Sequence, residues 1–310
     1  VAKEPKAFAP RWAVLTSLPA RRPEKQEIQR PIGDGEIVHF VGRKDLGPPY
    51  AQDRLLPIFV MSAYAALDYP EDRIITFKTI SVIRTLFAIQ DLGTAIKLRE
   101  GLRRWLHTGI STARTTIDAR TGKLVERTDL VHHLIEASKL YCEDKQPNQT
   151  TFFQNAILLS EWSANQAKKS VVPVRLALVR ALRDNPGACS LALWSGYRAN
   201  GAKREIRVPL FGPEGLTVQL GYTPVVDGEG KPLANPDCYE ACRQITRHLA
   251  EVKASWPQCP HEIHGDEFVV RPYKTPPMEL PNDFRAGVRR ATSKTVAAIA
   301  ALVGKPEEKG

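Results

Sequence analysis

Long apolar runs are missing from this chain. None approaches the ~20 residues needed to cross a bilayer, and no apolar h-region follows the N-terminus, so neither a membrane anchor nor a signal peptide is expected. Cysteine is sparse: Cys142, Cys189, Cys238, Cys242 and Cys259 are all there is. An odd count with no secretion signal argues for reduced thiols and a cytoplasmic protein. Catalytic signatures are lacking too. There is no P-loop, no paired Gly-rich phosphate loop and no nucleophile elbow. A metal-dependent nicking enzyme needs two histidines one residue apart on a strand, because alternate residues share a strand face. "HEIH" at 261–264 has two residues between its histidines and "VHHL" at 131–134 has none. No enzymatic activity, no cofactor and no membrane partner are expected.

Acidic residues are the last shortage. Lys and Arg number 44 against 34 Asp and Glu, a formal charge of +10. A basic surface attracts nucleic acid, anionic lipid or acidic protein, and charge alone does not choose among them. Cys238, Cys242, Cys259, His261 and His264 are of zinc-ligand type. Their spacing fits no common finger, and Cys238 and Cys242 fall on the apolar face of a predicted helix, so small buried hydrophobes are the expectation and no metal is assigned.

What is present is an ordered set of elements. The 310 residues suggest two domains with ends attached. Residues 1–45, with "RRPEKQEIQRP", read as a flexible basic arm holding one short strand, "EIVHFVG". Residues 46–145 read as helix ("AQDRLLPIFVMSAYAAL"), strand ("RIITFK"), helix ("TISVIRTLFAI"), helix (94–106) and two strands ("ISTARTTIDAR" and "DLVHHLIEASKLYCE"). Residues 146–274 give a strand, "TFFQNAILLS", then helices "VPVRLALVRAL" and "SLALWSGYRA", strand "REIRVPL", short helix "PEGLTVQLG", a long loop, helix "CYEACRQITRHLAEVKASWP" and a hairpin. Residues 275–310 form a Pro/Lys-rich tail in which "FRAGVRRATSKTVAAIAALVG" is a candidate amphipathic helix. Helices closed by a hairpin, twice over, predict an α+β fold of tandem winged-helix domains, a form of helix-turn-helix unit whose recognition helix enters the major groove.

The two helices before the hairpins carry the candidate interface. In the first, Leu98, Leu102, Trp105 and Leu106 form a core stripe, and Lys97, Arg99, Arg103 and Arg104 face a single carboxylate, Glu100, which is placed to pair with Arg104. In the second, Cys238, Cys242, Ile245, Leu249, Val252 and Trp256 form the stripe, and Arg243 and Arg247 face outward. The two tryptophans are expected as core anchors rather than base-stacking platforms. A solvated charged face is the plain alternative for either helix. The candidate DNA contacts are Thr94, Lys97, Arg99, Arg103 and Arg104 on the first helix, and Arg114, Lys123 and Arg127 on its hairpin. In the second unit they are Lys203, Arg204, Arg243, Arg247, Lys253 and His264.

At these residues the chain resembles a known family, the RepA-type plasmid replication initiators. "PPYAQDRLLPIFVMSAYAA" resembles the family's opening with its "DRLL" run. "VPVRLALVRALRDNPGACSLALWSGYR" resembles its "PVDL…SPGALDLYLWL-x-YR" segment. "RVPLFGPEGLTVQLG", "EVKASWPQCPHEI" and "FVVRP" continue the likeness, which covers residues 47–273 and is most specific from Val172 to Gly221. The long loop at 222–237 departs from the pattern. The resemblance implies binding to repeated double-stranded origin sites (iterons), origin opening, and recruitment of the host initiator DnaA and the replicative helicase. It also implies a plasmid-associated place in a bacterial cytoplasm; a homodimer is a candidate form, and the residues leave monomer or dimer open as the active one. A winged-helix repressor acting on its own gene is the alternative within the class. A nicking endonuclease and a nucleoid protein without sequence preference are the alternatives outside it.

Overall fold

The computed structural model describes residues 7–33, 36–78, 81–117, 124–140, 155–212, 215–222, 238–274 and 280–304. The chain opens with strand β1 (Phe8–Pro10), helix α1 (Arg11–Leu15), β2 (Glu27–Gly33) and β3 (Glu36–Val41). A 3-10 turn, Ala51–Arg54, runs into α2 (Leu55–Ala66). Then come β4 (Ile74–Phe77), α3 (Ser81–Phe87), α4 (Leu92–Leu106), β5 (Gly109–Ile117), β6 (Leu124–His133), β7 (Ile135–Lys139) and β8 (Asn155–Leu159). The next stretch holds α5 (Glu161–Lys169), β9 (Val171–Pro173), α6 (Leu176–Leu182) and α7 (Pro186–Gly201). After it follow β10 (Ile206–Pro209), α8 (Leu216–Gln219), α9 (Cys238–Ser255), β11 (Glu262–His264) and β12 (Glu267–Val270). The chain closes with α10 (Asn282–Gly287), β13 (Val288–Arg290) and α11 (Ser293–Val303).

The fold is α+β, and one topology occurs twice. Helix α2, strand β4, helices α3 and α4 and hairpin β7–β8 make the first unit, with β8 paired to β4. Helix α7, strand β10, helices α8 and α9 and hairpin β11–β12 make the second, with β12 paired to β10. In each set the second strand of the hairpin lies between the other two, β4-β8-β7 within the four-stranded sheet β13-β4-β8-β7 and β10-β12-β11 in the three-stranded one. This is the winged-helix arrangement, with α4 and α9 in the recognition position.

Local chemistry explains the elements. Pro57 sits in the first turn of α2, where its missing N–H costs nothing. Helix α2 is apolar on every side and buried through ten of its twelve residues. Asn185 caps α7 by accepting the Ala188 N–H at 3.1 Å, with Pro186 at the first helical position. Helix α9 buries Ile245, Leu249 and Val252, and Trp256, the residue after it, is buried too.

Three expectations are corrected. The segment expected as a flexible arm is folded: β1 pairs with β9, β2–β3 form a ladder, and Trp12, Leu15, Ile28, Val38 and Phe40 are buried. Its charged composition hides alternating apolar positions that the long-range partners complete. Trp12 packs 5.4 Å from Trp105 and 5.9 Å from Phe40. Second, the hairpin following α4 is not the one that closes the first winged helix. β5–β6 joins β3 and β2 in a separate antiparallel sheet of order β2-β3-β5-β6. Only the buried Leu134 separates β6 from β7, and there the chain passes from one sheet to the other. The closing hairpin is β7–β8, whose connection, 141–154, lies outside the described residues. β8, placed by sequence in the second unit, therefore belongs to the first sheet, and the expected boundary at 145/146 falls inside that hairpin. Third, the expected C-terminal amphipathic helix is interrupted. Val288–Arg290 pair with β4, and only Ser293–Val303 continue as helix, capped by Thr292. A Cβ on Gly287 would lie 2.6 Å from Val82, so the chain presses too closely on α3 there for anything larger. Phe284 packs 6.1 Å from Phe59, returning the tail to the first unit. One apolar core runs from Ala7 through both units to Val288.

Candidate nucleic-acid interface

Helix α4 lies against the 3-10 turn. Leu98, Leu102 and Trp105 are buried, as expected for a core stripe. Gly101 permits the close approach, since a Cβ there would stand 2.3 Å from Asp53 Oδ1. Trp105 Nε1 donates to the Asp53 carbonyl at 2.8 Å. Arg104 turns inward, its Nε and Nη2 donating to Asp53 Oδ2 and Oδ1 at 2.7 and 3.0 Å. The guanidinium also lies 4.5 Å from the centre of the Tyr50 ring. Burial alone would lower its pKa, but the hydrogen bonds and charge of Asp53 hold it above its ordinary value. Burial pushes the Asp53 carboxyl up, against the downward pull of Arg104. Arg104 is thus not the phosphate or base contact expected of it. A buried carboxylate needs a partner, and Arg104 supplies it.

The outward face of α4 is smaller than its cation count suggests. Lys97 and Arg103 are exposed, with Ile96 beside them at 58%. Glu100 pairs with Arg103 at 3.4 Å rather than with Arg104. Arg99 is half-buried. Thr94 lies in the first half of α4, and its side chain is outside the description, as is Lys123 altogether. Arg114 and Arg127 lie on β5 and β6 opposite Thr128 and Thr115, which puts positions 114 and 127 on opposite faces of that hairpin.

Helix α9 presents Arg243, Arg247 and Lys253 to solvent, with Arg243 held 2.8 Å from Glu240. Its inner side is anchored by polar groups as well as apolar ones. His248 is buried and its Nδ1 shares a hydrogen bond with the Tyr222 hydroxyl at 2.6 Å. Burial, with Arg247 and Arg54 nearby, lowers its pKa to about 4. Glu251 accepts from the Asn185 side chain. A Cβ on Gly187 would stand 2.1 Å from His248 Cε1.

The second hairpin is balanced in charge rather than bare. Arg207 bridges Glu205 and Glu267 at 2.9 and 3.0 Å, Arg271 contacts Glu262, and His264 lies 2.9 Å from Glu262. Lys203 and Arg204 are exposed between α7 and β10. Cys259 and His261 are core residues, Cys242 is half-buried and His264 is exposed.

The candidates therefore gather on two helices: Lys97 and Arg103 on α4, and Arg243, Arg247 and Lys253 on α9. Sequence reasoning missed Asp53 and Gly101, which set the position of α4, and Arg54, which bonds the start of α7. The signal was present in the quoted "DRLL" run, where two adjacent opposite charges precede an apolar helix. Among the described residues no helix is long and apolar enough to cross a membrane.

No family model matches this chain, and no curated protein matches it in sequence. Two crystal structures of domains 2 and 3 of RctB align with it. A selenomethionine derivative gives a TM-score of 0.44 at 11% identity, covering 64% of this chain and 73% of that one. The second also scores 0.44 at 11% identity and covers 82% of this chain and 92% of that one. At this level of similarity the functional reading rests on the chain's own residues.

Proposed function

We propose that the chain is a sequence-specific double-stranded DNA-binding protein of the plasmid replication-initiator type. In this reading it binds repeated origin sites, promotes their opening and recruits DnaA and the replicative helicase, and it does so without cleaving DNA. The observation that carries the DNA-binding reading is the twice-occurring winged-helix topology, with exposed cations on the helix in the recognition position each time. The resemblance to RepA-type initiators supports the origin as target. A footprint on duplex recovered from a random pool should exceed one helical turn, ~34 Å, for a single chain. Arg243→Ala with Arg247→Ala should flatten the dependence of log affinity on log salt by about one unit per phosphate contact removed. Equal affinity and equal slope for parent and variant would remove α9 from the interface. Protection of random and selected duplex alike would leave a binder without sequence preference.

A further inference from the structure

The 3-10 turn between the N-terminal segment and α2 is a polar junction inside an apolar core. Gln52 donates to Asp184 Oδ1 at 3.1 Å, and Asp53 holds α4 through Arg104 and Trp105. Arg54 is buried and points the other way. Its Nε donates to the Ala51 carbonyl at 2.8 Å, its Nη2 to the Leu18 carbonyl at 2.9 Å, and its Nη1 to the Pro186 carbonyl at 2.5 Å and to Ser190 Oγ. Pro186 and Ser190 belong to the first turns of α7, whose cap Asn185 bonds Glu251 of α9. An unbroken line of hydrogen bonds and covalent neighbours thus runs from α4 through Asp53, Arg54 and the start of α7 to α9.

We infer that Arg54 is a positioning residue that sets the separation and relative angle of the two recognition helices. The shared apolar core holds the units together, but hydrophobic contact is non-directional. A planar guanidinium bonded to a carbonyl of its own turn and to carbonyls of two other segments is directional, and its fork geometry restricts their arrangement. Taking a guanidinium out of water is costly, and burial lowers its pKa here. A methionine would remove that cost but is shorter by the guanidinium, and the Leu18 and Pro186 carbonyls would lose the donor that orients them. The functional half of the inference rests on the two-helix DNA reading above. Two helices entering successive grooves must keep a fixed phase, and a fixed phase makes the second contact effectively intramolecular.

The test is a distance measurement on the full chain without DNA. Nitroxide labels on a keto amino acid at positions 97 and 253, both exposed, leave the five native cysteines untouched. The parent should give one narrow distance peak by pulsed electron resonance. Arg54→Met should at least double its width while retaining the parent's far-ultraviolet circular dichroism. Arg180→Met is the comparison, because Arg180 of α6 also donates to backbone carbonyls, those of Leu86 and Thr85 in α3, and among the described residues bonds neither α4 nor α9. Its peak should stay narrow. If Arg54→Met does not fold, Asn185→Ala severs the α7–α9 leg with Arg54 in place and should broaden the peak instead. Unchanged widths in the variants overturn the inference. On the selected duplex, a five-base-pair insert between the two protected halves should weaken the parent by about 10²-fold or more. Arg54→Met should lose less than about tenfold on the same insert, and an equal penalty for both proteins also overturns the inference. Failure of the parent to select any duplex would defeat the DNA reading alone, because the distances are measured without it.

Discussion

Arg103 and Arg104 are neighbours of identical chemistry with opposite expected consequences. Arg104 sits on a carboxylate that is 3% exposed, so Arg104→Ala leaves Asp53 buried and unpaired, which costs about 3–5 kcal/mol. Arg103 makes one solvent-screened pair, and its removal should change stability by no more than about 0.5 kcal/mol while weakening DNA binding. Urea melts run beside binding titrations separate the two. A stable Arg104→Ala protein with impaired DNA binding would return Arg104 to the interface. Trp105 belongs with Arg104. It is fully buried and bonded to Asp53, and Trp105→Ala should cost about 3–5 kcal/mol.

At the scale of elements, α4 was readable because Leu98, Leu102 and Trp105 repeat at helical spacing. Which of its arginines faces water was not readable, because that depends on Asp53, fifty-one residues before Arg104. The same reason explains the hairpins. β7 alternates as a strand should, but nothing local says that β5–β6 pairs with β3 while β7–β8 pairs with β4. Gly101 is a test of the packing behind α4. Alanine is the better helix former by about 1 kcal/mol, yet its Cβ would meet Asp53 Oδ1 at 2.3 Å and Leu56 Cδ1 at 2.8 Å. Overpacking of this kind costs about 1–3 kcal/mol. Gly101→Ala should therefore lower the melting temperature, and a rise would show that α4 stands further from the 3-10 turn.

For the whole molecule, acid is the expected weakness. His248 and His261 both have pKa values lowered to about 4, chiefly by burial, with Arg247 and Arg54 adding to the first and Lys253 and Arg271 to the second. An unfolded imidazole titrates near 6.5. Between these values the unfolded chain binds more protons than the folded one, so stability is complete above about pH 6.5 and falls as pH drops toward 4. The loss should reach on the order of 2–3 kcal/mol per histidine. Because both units share one core, the whole chain should feel it. Urea midpoints at pH 7, 5.5 and 4.5 measure the slope, and His261→Phe should make it shallower. An unchanged slope would mean that His261 is not held neutral by burial.

The β5–β6 hairpin is closed at its base. Gly109 and His133 are partners in the ladder, so the chain leaves the first winged helix and re-enters it at one point. Whatever is added to or trimmed from the far end, between Ile117 and Leu124, leaves α4 and β7 where they are. The hairpin is therefore a cassette. A change of length confined to that end alters how far the hairpin reaches and leaves its base, Gly109 beside His133, in register.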